Sequence, residues 1–460
     1  MIKKYWGLAL LFFLSFILFS FGLFSSTSFQ GDLGRDLYEI AKISYGNFTL
    51  LGPKGSFGGI YTAPYYFYLF APAFILAGRH LNGVIFFNAL LFSASLVFFS
   101  YHVGKKFGEM KAILAATALM LFPFFLFGAR SPGNGFTHIP FFLVFLTILY
   151  FYDVNKFDWL KMSLFGLLLG GIFFSLFAYG SIAVPLLILV FLQIKDKKKF
   201  IFFLVGVGAA FSPLLLFELK NNFVMLKNTF IDKSYLAFVN NTNLPAGVKL
   251  NKNVLVNALD IAGKMFPYTN INIFLMLLLS PIAVLAFVFL AILLRFQYSF
   301  HYFFPFLTLL AFTALVTILK NKFAKAALII LIIIQVLFFP KNYYKKANRS
   351  YDLLEKRVGQ LVTKGWLSRD DHFNVILIRS DDAPTPVGFE YRYFLLKNGF
   401  EAQSEFLYSQ SDKLIVFSEK NNVDLKNLKT WEMSEFDYKK VKKTSRFSPD
   451  GEMTVYLLEK

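Results

Sequence analysis

Asp32, Arg35 and Asp36 stand together in the stretch Gly31-Asp-Leu-Gly-Arg-Asp36. On a helix, residues spaced in this way share one face, which would set a guanidinium between two carboxylates. A carboxylate held like this can take a proton from a hydroxyl, and the neighbouring cation keeps it ionised. The same pattern also suits a capped helix start with an exposed ion pair, so both readings stand on these residues alone. Further candidates are spread along the chain: Arg130 and Asn134 in Ala129-Arg-Ser-Pro-Gly-Asn134, then Glu218, Lys220, Asn222, Lys264, Arg295 and His301. There is no Cys, which excludes disulfides, thiolate metal sites and Cys nucleophiles.

These groups sit in a chain made for a lipid solvent. Of 460 residues, 56% are hydrophobic and 16% charged, and 62 are Phe, far from the make-up of a water-soluble domain. A span needs about 20 apolar residues. Candidate spans are 5–25, 81–103, 111–129, 136–152, 160–177, 178–194, 199–218, 271–294, 299–319 and 325–340. Lys3 and Lys4 before a long apolar run, with no A-x-A site after it, point to a retained first span rather than a signal peptide.

The formal charge of +19 is read mainly as topology, because Lys residues cluster between apolar stretches. With the N-terminus in the cytoplasm, Lys105/Lys106/Lys111, Lys156/Lys161 and Lys195/Lys197/Lys198/Lys199 all fall inside. Residues 26–80, 130–135 and 219–270 then fall outside. Beyond 270 the rule breaks down: either 271–319 crosses an odd number of times or one apolar stretch is re-entrant. The expected architecture is a mainly α, polytopic bundle of about 9–11 spans in residues 1–340, followed by a small α/β domain in 341–460. That tail is expected outside the cytoplasm, recognising an acceptor or covering the site, with strand-like runs at Asn374–Ile378, Leu414–Phe417 and Thr454–Leu458.

The spans carry almost no Asp, Glu, Lys or Arg, although an ion-coupled transporter keeps such groups inside the membrane. Chemistry therefore belongs to the loops at the surface, above all to 26–80. There a Gly/Pro-rich turn, Leu51-Gly-Pro-Lys-Gly-Ser-Phe-Gly-Gly59, precedes Tyr61-Thr-Ala-Pro-Tyr-Tyr-Phe-Tyr68. Tyr61, Tyr65, Tyr66 and Tyr68, followed by Leu69 to Leu76, predict an interfacial helix that serves either as an aromatic belt or as a substrate platform.

A first span, a loop opening on D-x-x-R, a Gly/Pro-rich stretch and aromatics before the second span together resemble the GT-C superfamily. Within it the chain is similar to bacterial relatives of protein O-mannosyltransferases and of lipid A aminoarabinose transferase. Ala129–Asn134, Pro213-Leu-Leu-Leu-Phe-Glu-Leu-Lys-Asn-Asn-Phe223, His301-Tyr-Phe-Phe-Pro305 and Phe389-Glu-Tyr-Arg-Tyr-Phe394 extend the resemblance over most of the chain. It implies a multi-pass cell-membrane enzyme that passes a sugar from a polyprenyl-phosphate carrier to a lipid, glycan or protein acceptor outside the cytoplasm, with no nucleic-acid partner. Asp32 takes the position of the catalytic acid, and one base suffices because a lipid phosphate leaves without protonation. Arg35 and Arg130 are the leading phosphate contacts, with Tyr61, Tyr65, Asn134, Lys220 and His301 as further substrate contacts. Many relatives carry a second acid directly after the first. Here Leu33 follows Asp32 and the 130–135 loop has no acid, so no metal ligands are assigned and a divalent cation is left in doubt. Asp36 and Glu218 remain as candidates for a second carboxylate, Glu218 pairing otherwise with Lys220 or Arg130. Two rival classes remain: a flippase for lipid-linked saccharides, which would want ionisable groups within spans, and a scaffold, which would give the Asp32 cluster no task.

Overall fold

The computed structural model describes residues 6–55, 60–175, 180–231, 304–380, 387–420, 423–428, 430–447 and 453–460. In chain order come α1 (Trp6–Ser20), α2 (Leu23–Ser26), α3 (Gly31–Ser44), α4 (Tyr65–Leu76) and α5 (Leu81–Phe107). Then follow α6 (Glu109–Leu121), α7 (Pro123–Arg130), α8 (His138–Phe151), α9 (Trp159–Ser175), α10 (Gly180–Gln193), α11 (Lys197–Ala209) and α12 (Ser212–Lys220). After the next described stretch begins come α13 (Phe304–Lys320) and α14 (Ala324–Leu337). The expected span 271–294 and the start of 299–319 lie outside the described residues.

Among the described residues, Trp6–Ser26 and Leu81–Phe107 are long and apolar enough to cross a membrane, making up to four spans where each of two bent pairs counts as one. Leu10, Phe13, Leu14 and Ile17 on α1, and Ile329, Ile330 and Ile333 on α14, face outward. Such faces need lipid as their solvent, in keeping with an integral membrane protein.

The expected spans 111–129 and 199–218 are each broken rather than straight. α6 and α7 meet at 69°, α11 and α12 at 54°. The cause is proline: Pro123 and Pro213 each open the second helix of a pair, where the missing N–H costs nothing but the preceding helix cannot continue. The exposed end of α7 is repaired within the core. Asn88 Nδ2 donates to the Gly128 and Ala129 carbonyls at 3.0 and 2.9 Å, adding to the Ser131 N–H that also reaches Gly128.

The tail contains α15 (Tyr351–Thr363), α16 (Phe389–Lys397) and a four-stranded sheet of β1 (Phe373–Ile378), β2 (Lys413–Ser418), β3 (Lys440–Phe447) and β4 (Met453–Glu459). The order is β1-β2-β4-β3, with β1 and β2 parallel and β4 antiparallel to both neighbours. Three of these strands follow the expected runs. β3 escaped notice because its Lys-rich sequence has no apolar alternation, as befits an exposed edge strand protected by charge. One core joins this tail to the first loop: Leu37 of α3 and Phe70 of α4 share it with Tyr391 and Phe394 of α16 and Val375 of β1. Gly34 permits the contact, since a Cβ there would stand 2.7 Å from the Glu390 backbone nitrogen and Cα.

Candidate active site

α3 begins with Asp32 in its first turn and ends with Lys42 in its last, each sign matched to the helix dipole. Its apolar face, Leu33, Leu37, Ile40 and Ala41, is buried, while Asp32, Arg35 and Glu39 reach the surface on the other side. Arg35 bridges the two carboxylates, with Nη1 3.1 Å from Asp32 and Nη2 2.9 Å from Asp36. They do not share a fate. The Asp32 side chain is 82% exposed, whereas that of Asp36 is wholly buried. Asp32 stands in the open first turn, whereas Asp36 lies one turn further along, where the loop after α7 covers it. Asp36 Oδ2 also accepts the backbone N–H of Asn134 at 3.4 Å. Burial, with the charge of Asp32 adding to it, pushes the Asp36 carboxyl up to about 6, against the opposing pull of Arg35 and the Asn134 N–H. The Tyr66 hydroxyl donates to the Pro132 carbonyl, so α3 and α4 together grip the loop after α7.

Above this face lies a cleft of about 440 Å³. Asp32, Arg35 and Glu39 of α3 line it, with Lys54 and Tyr61 of the first loop and Glu405 and Phe406 of the tail. Lys54 Nζ stands 3.2 Å from Glu405 Oε1 and 5.0 Å over the Phe406 ring. Burial raises the Glu39 carboxyl above its ordinary value, with Lys42 opposing. Behind α4 runs a second, apolar hollow of about 580 Å³ between α4, α8 and α9, lined by Tyr65, Tyr68, Leu69, Phe141, Leu164 and Leu168. α4 is the shared wall, because its Phe67 faces the cleft.

Several expected site residues stand elsewhere. Arg130 is not a cleft cation: its guanidinium donates to the carbonyls of Leu18, Phe19, Phe21 and Tyr343 and to Ser26 Oγ, and lies 3.7 Å over the Tyr344 ring. Buried beside the end of α1, it helps to satisfy the last carbonyls of that helix, of which Leu18 also accepts the Tyr344 hydroxyl at 2.9 Å. Glu218 pairs with neither Lys220 nor Arg130; its carboxylate accepts the N–H groups of Met225 and Leu226 at 3.0 and 3.1 Å, capping the turn after α12. Lys220 is exposed at the end of α12. Tyr65 lines the apolar hollow and donates to the Ala210 carbonyl at 2.6 Å. Asn134 takes part through its backbone. His301, Lys264 and Arg295 lie outside the described residues. Among the described residues no group of three His, Asp or Glu side chains could hold a metal ion.

Glu39, Lys54, Glu405 and Phe406 were missed. Glu39, one turn beyond Arg35, and Lys54, inside the Gly/Pro-rich turn, were open to notice by spacing. Nothing in the sequence tied Glu405 or Phe406 to a loop some 350 residues earlier.

No protein-family model and no curated protein matches the sequence. Solved structures do. The fold is similar to that of ArnT from Cupriavidus metallidurans. The form bound to undecaprenyl phosphate matches with a TM-score of 0.63 at 11% identity, over 98% of this chain and 97% of that one. The apo form matches with 0.63 at 10% identity, over 99% and 98%. An Archaeoglobus fulgidus oligosaccharyltransferase, solved with Zn and sulfate, gives 0.46 at 11% identity, over 89% and 67%. At such identities the ArnT likeness is one of fold, and it is the fold that the GT-C resemblance implied.

Proposed function

We propose that this chain is a glycosyltransferase, taking a sugar from a polyprenyl-phosphate carrier and passing it to an acceptor hydroxyl or amine at the non-cytoplasmic membrane face. The observation that carries this reading is the position of Asp32: a water-exposed carboxylate at a cleft that also presents Arg35 and Lys54. The acceptor proton passes to Asp32 while the acceptor atom attacks the anomeric carbon from the side opposite the phosphate. The carbon–oxygen bond to phosphate breaks, its electron pair leaves on the lipid phosphate, and the anomeric configuration inverts. Arg35 and Lys54 neutralise that departing charge, Arg35 in a fork suited to phosphate oxygens. Asp36, sealed from the cleft, orients Arg35 instead of meeting the acceptor.

The apolar hollow behind α4 suits the isoprenoid chain, and the Tyr65 and Tyr68 rings suit headgroup depth. ArnT, with a similar fold, was solved holding a polyprenyl phosphate, which supports the same carrier class here. The test is Asp32→Asn in the full chain, reconstituted in lipid nanodiscs with a polyprenyl-phosphate-linked sugar. Transfer is expected to fall at least about 100-fold, with carrier binding within about twofold of the parent. Undiminished transfer would remove Asp32 as the base.

A further inference from the structure

The tail motif Phe389-Glu-Tyr-Arg-Tyr-Phe394 opens α16 at the edge of the cleft, which its Phe389 and Glu390 line. Its Arg392 is almost fully buried. The guanidinium donates to the Val387 carbonyl at 2.8 Å, the Gln403 carbonyl at 2.6 Å, the Tyr408 hydroxyl at 3.2 Å and Asn374 Oδ1. Val387 lines the cleft itself, and Gln403 directly precedes Ser404, Glu405 and Phe406, which also line it. One buried cation therefore pins both segments that the tail contributes to the site.

On this pinned wall a carboxylate and an aromatic ring stand side by side, and Phe406 is 57% exposed. That pair suits a sugar ring: the C–H face of a pyranose lies on an aromatic face, and its hydroxyls donate to an acceptor-only carboxylate. Lys54 now occupies both, ion-paired to Glu405 and seated over Phe406. The donor phosphodiester offers that ammonium a like charge spread over two unesterified oxygens, and the phosphate gains a second charge once the sugar has left.

Resting on the glycosyltransferase reading, we propose that Glu405 and Phe406 select the sugar, that Arg392 is the positioning residue that holds them, and that Lys54 shields them until the donor phosphate draws its ammonium away. The tail is then part of the specificity site and not an accessory to it.

The test measures binding to the full chain in nanodiscs. The probes are undecaprenyl phosphate alone and undecaprenyl phosphate linked to glucose, mannose or N-acetylglucosamine. The parent protein is expected to bind one sugar-linked probe more tightly than the bare carrier. Glu405→Gln and Phe406→Leu should each weaken that probe about tenfold relative to the bare carrier, as for one lost charge-assisted hydrogen bond or stacking contact, while the bare carrier binds no more weakly than to the parent. Arg392→Lys should blur the preference among the three sugars with the bare carrier again bound no more weakly, a result that simple unfolding would not produce. Equal weakening of all probes by Glu405→Gln and Phe406→Leu would make this wall a mere strut and overturn the proposal. A parent preference that survives in both variants would overturn it while leaving the functional reading intact. A parent protein that binds none of the probes would remove the functional reading, and this proposal with it.

Discussion

The guanidinium of Arg35 and the carboxylate of Asp32 meet at 3.1 Å at the cleft, the first largely covered and the second open to water. On the proposed function, the pair places a cation where a departing phosphate needs one, beside the group that would take the acceptor proton. Arg35→Lys keeps a charge beside Asp36 but loses the fork that reaches both acids and a phosphate. Steady-state transfer should show kcat lowered about tenfold, with the donor KM less affected, because the charge that Arg35 meets grows as the phosphate departs. An unchanged kcat would free Arg35 from the phosphate role.

Asp36 gives the fold a signature in pH. Its carboxyl is pushed up to about 6 by burial, while in the unfolded chain it titrates near about 4. Between these values the folded protein holds the proton and the unfolded chain does not. The contribution of Asp36 to stability is therefore greatest below the unfolded value and declines as pH rises through about 6. Melting curves of the parent and Asp36→Asn from pH 4 to 7 should diverge in this direction, the parent losing stability relative to the variant as pH rises. Parallel curves would mean that Asp36 is not strained by burial.

Arg130 should matter for stability and not for the donor. Arg130→Met strands the carbonyls near the end of α1, a cost of about 3 kcal/mol or more. Thermal unfolding should move down by several degrees, while carrier affinity below the transition stays within about twofold. Selective loss of carrier binding would restore the phosphate contact expected from the sequence.

Gly34→Ala tests the contact between α3 and the tail. The new Cβ would meet the Glu390 backbone at 2.7 Å, so α3 and α16 must separate, at a cost of about 1–3 kcal/mol. Asp32 lies two residues away and would shift against the tail wall, so transfer should fall along with the melting temperature. A variant as stable and active as the parent would show that this close approach is dispensable.

Much was legible in advance because it rests on local rules. Period and composition marked the apolar helices, the helix α4 and three tail strands. The D-x-x-R-D spacing put Asp32, Arg35 and Asp36 on one helix. The prolines that bend the pairs at Pro123 and Pro213 were also visible, but the size of a bend depends on what packs against it.

By itself the sequence determined the solvent, the helical class and the stretch where chemistry could occur, since hydrophobic pattern and residue spacing act over a few turns of chain. Only the tertiary structure decided the loyalties of the charges. Arg130 turned to backbone carbonyls, Glu218 to two N–H groups and Asp36 to the interior, while Glu405 and Phe406 came from the far end of the chain to face Asp32. Burial and partner choice come from packing between distant segments, and no short window of residues records them.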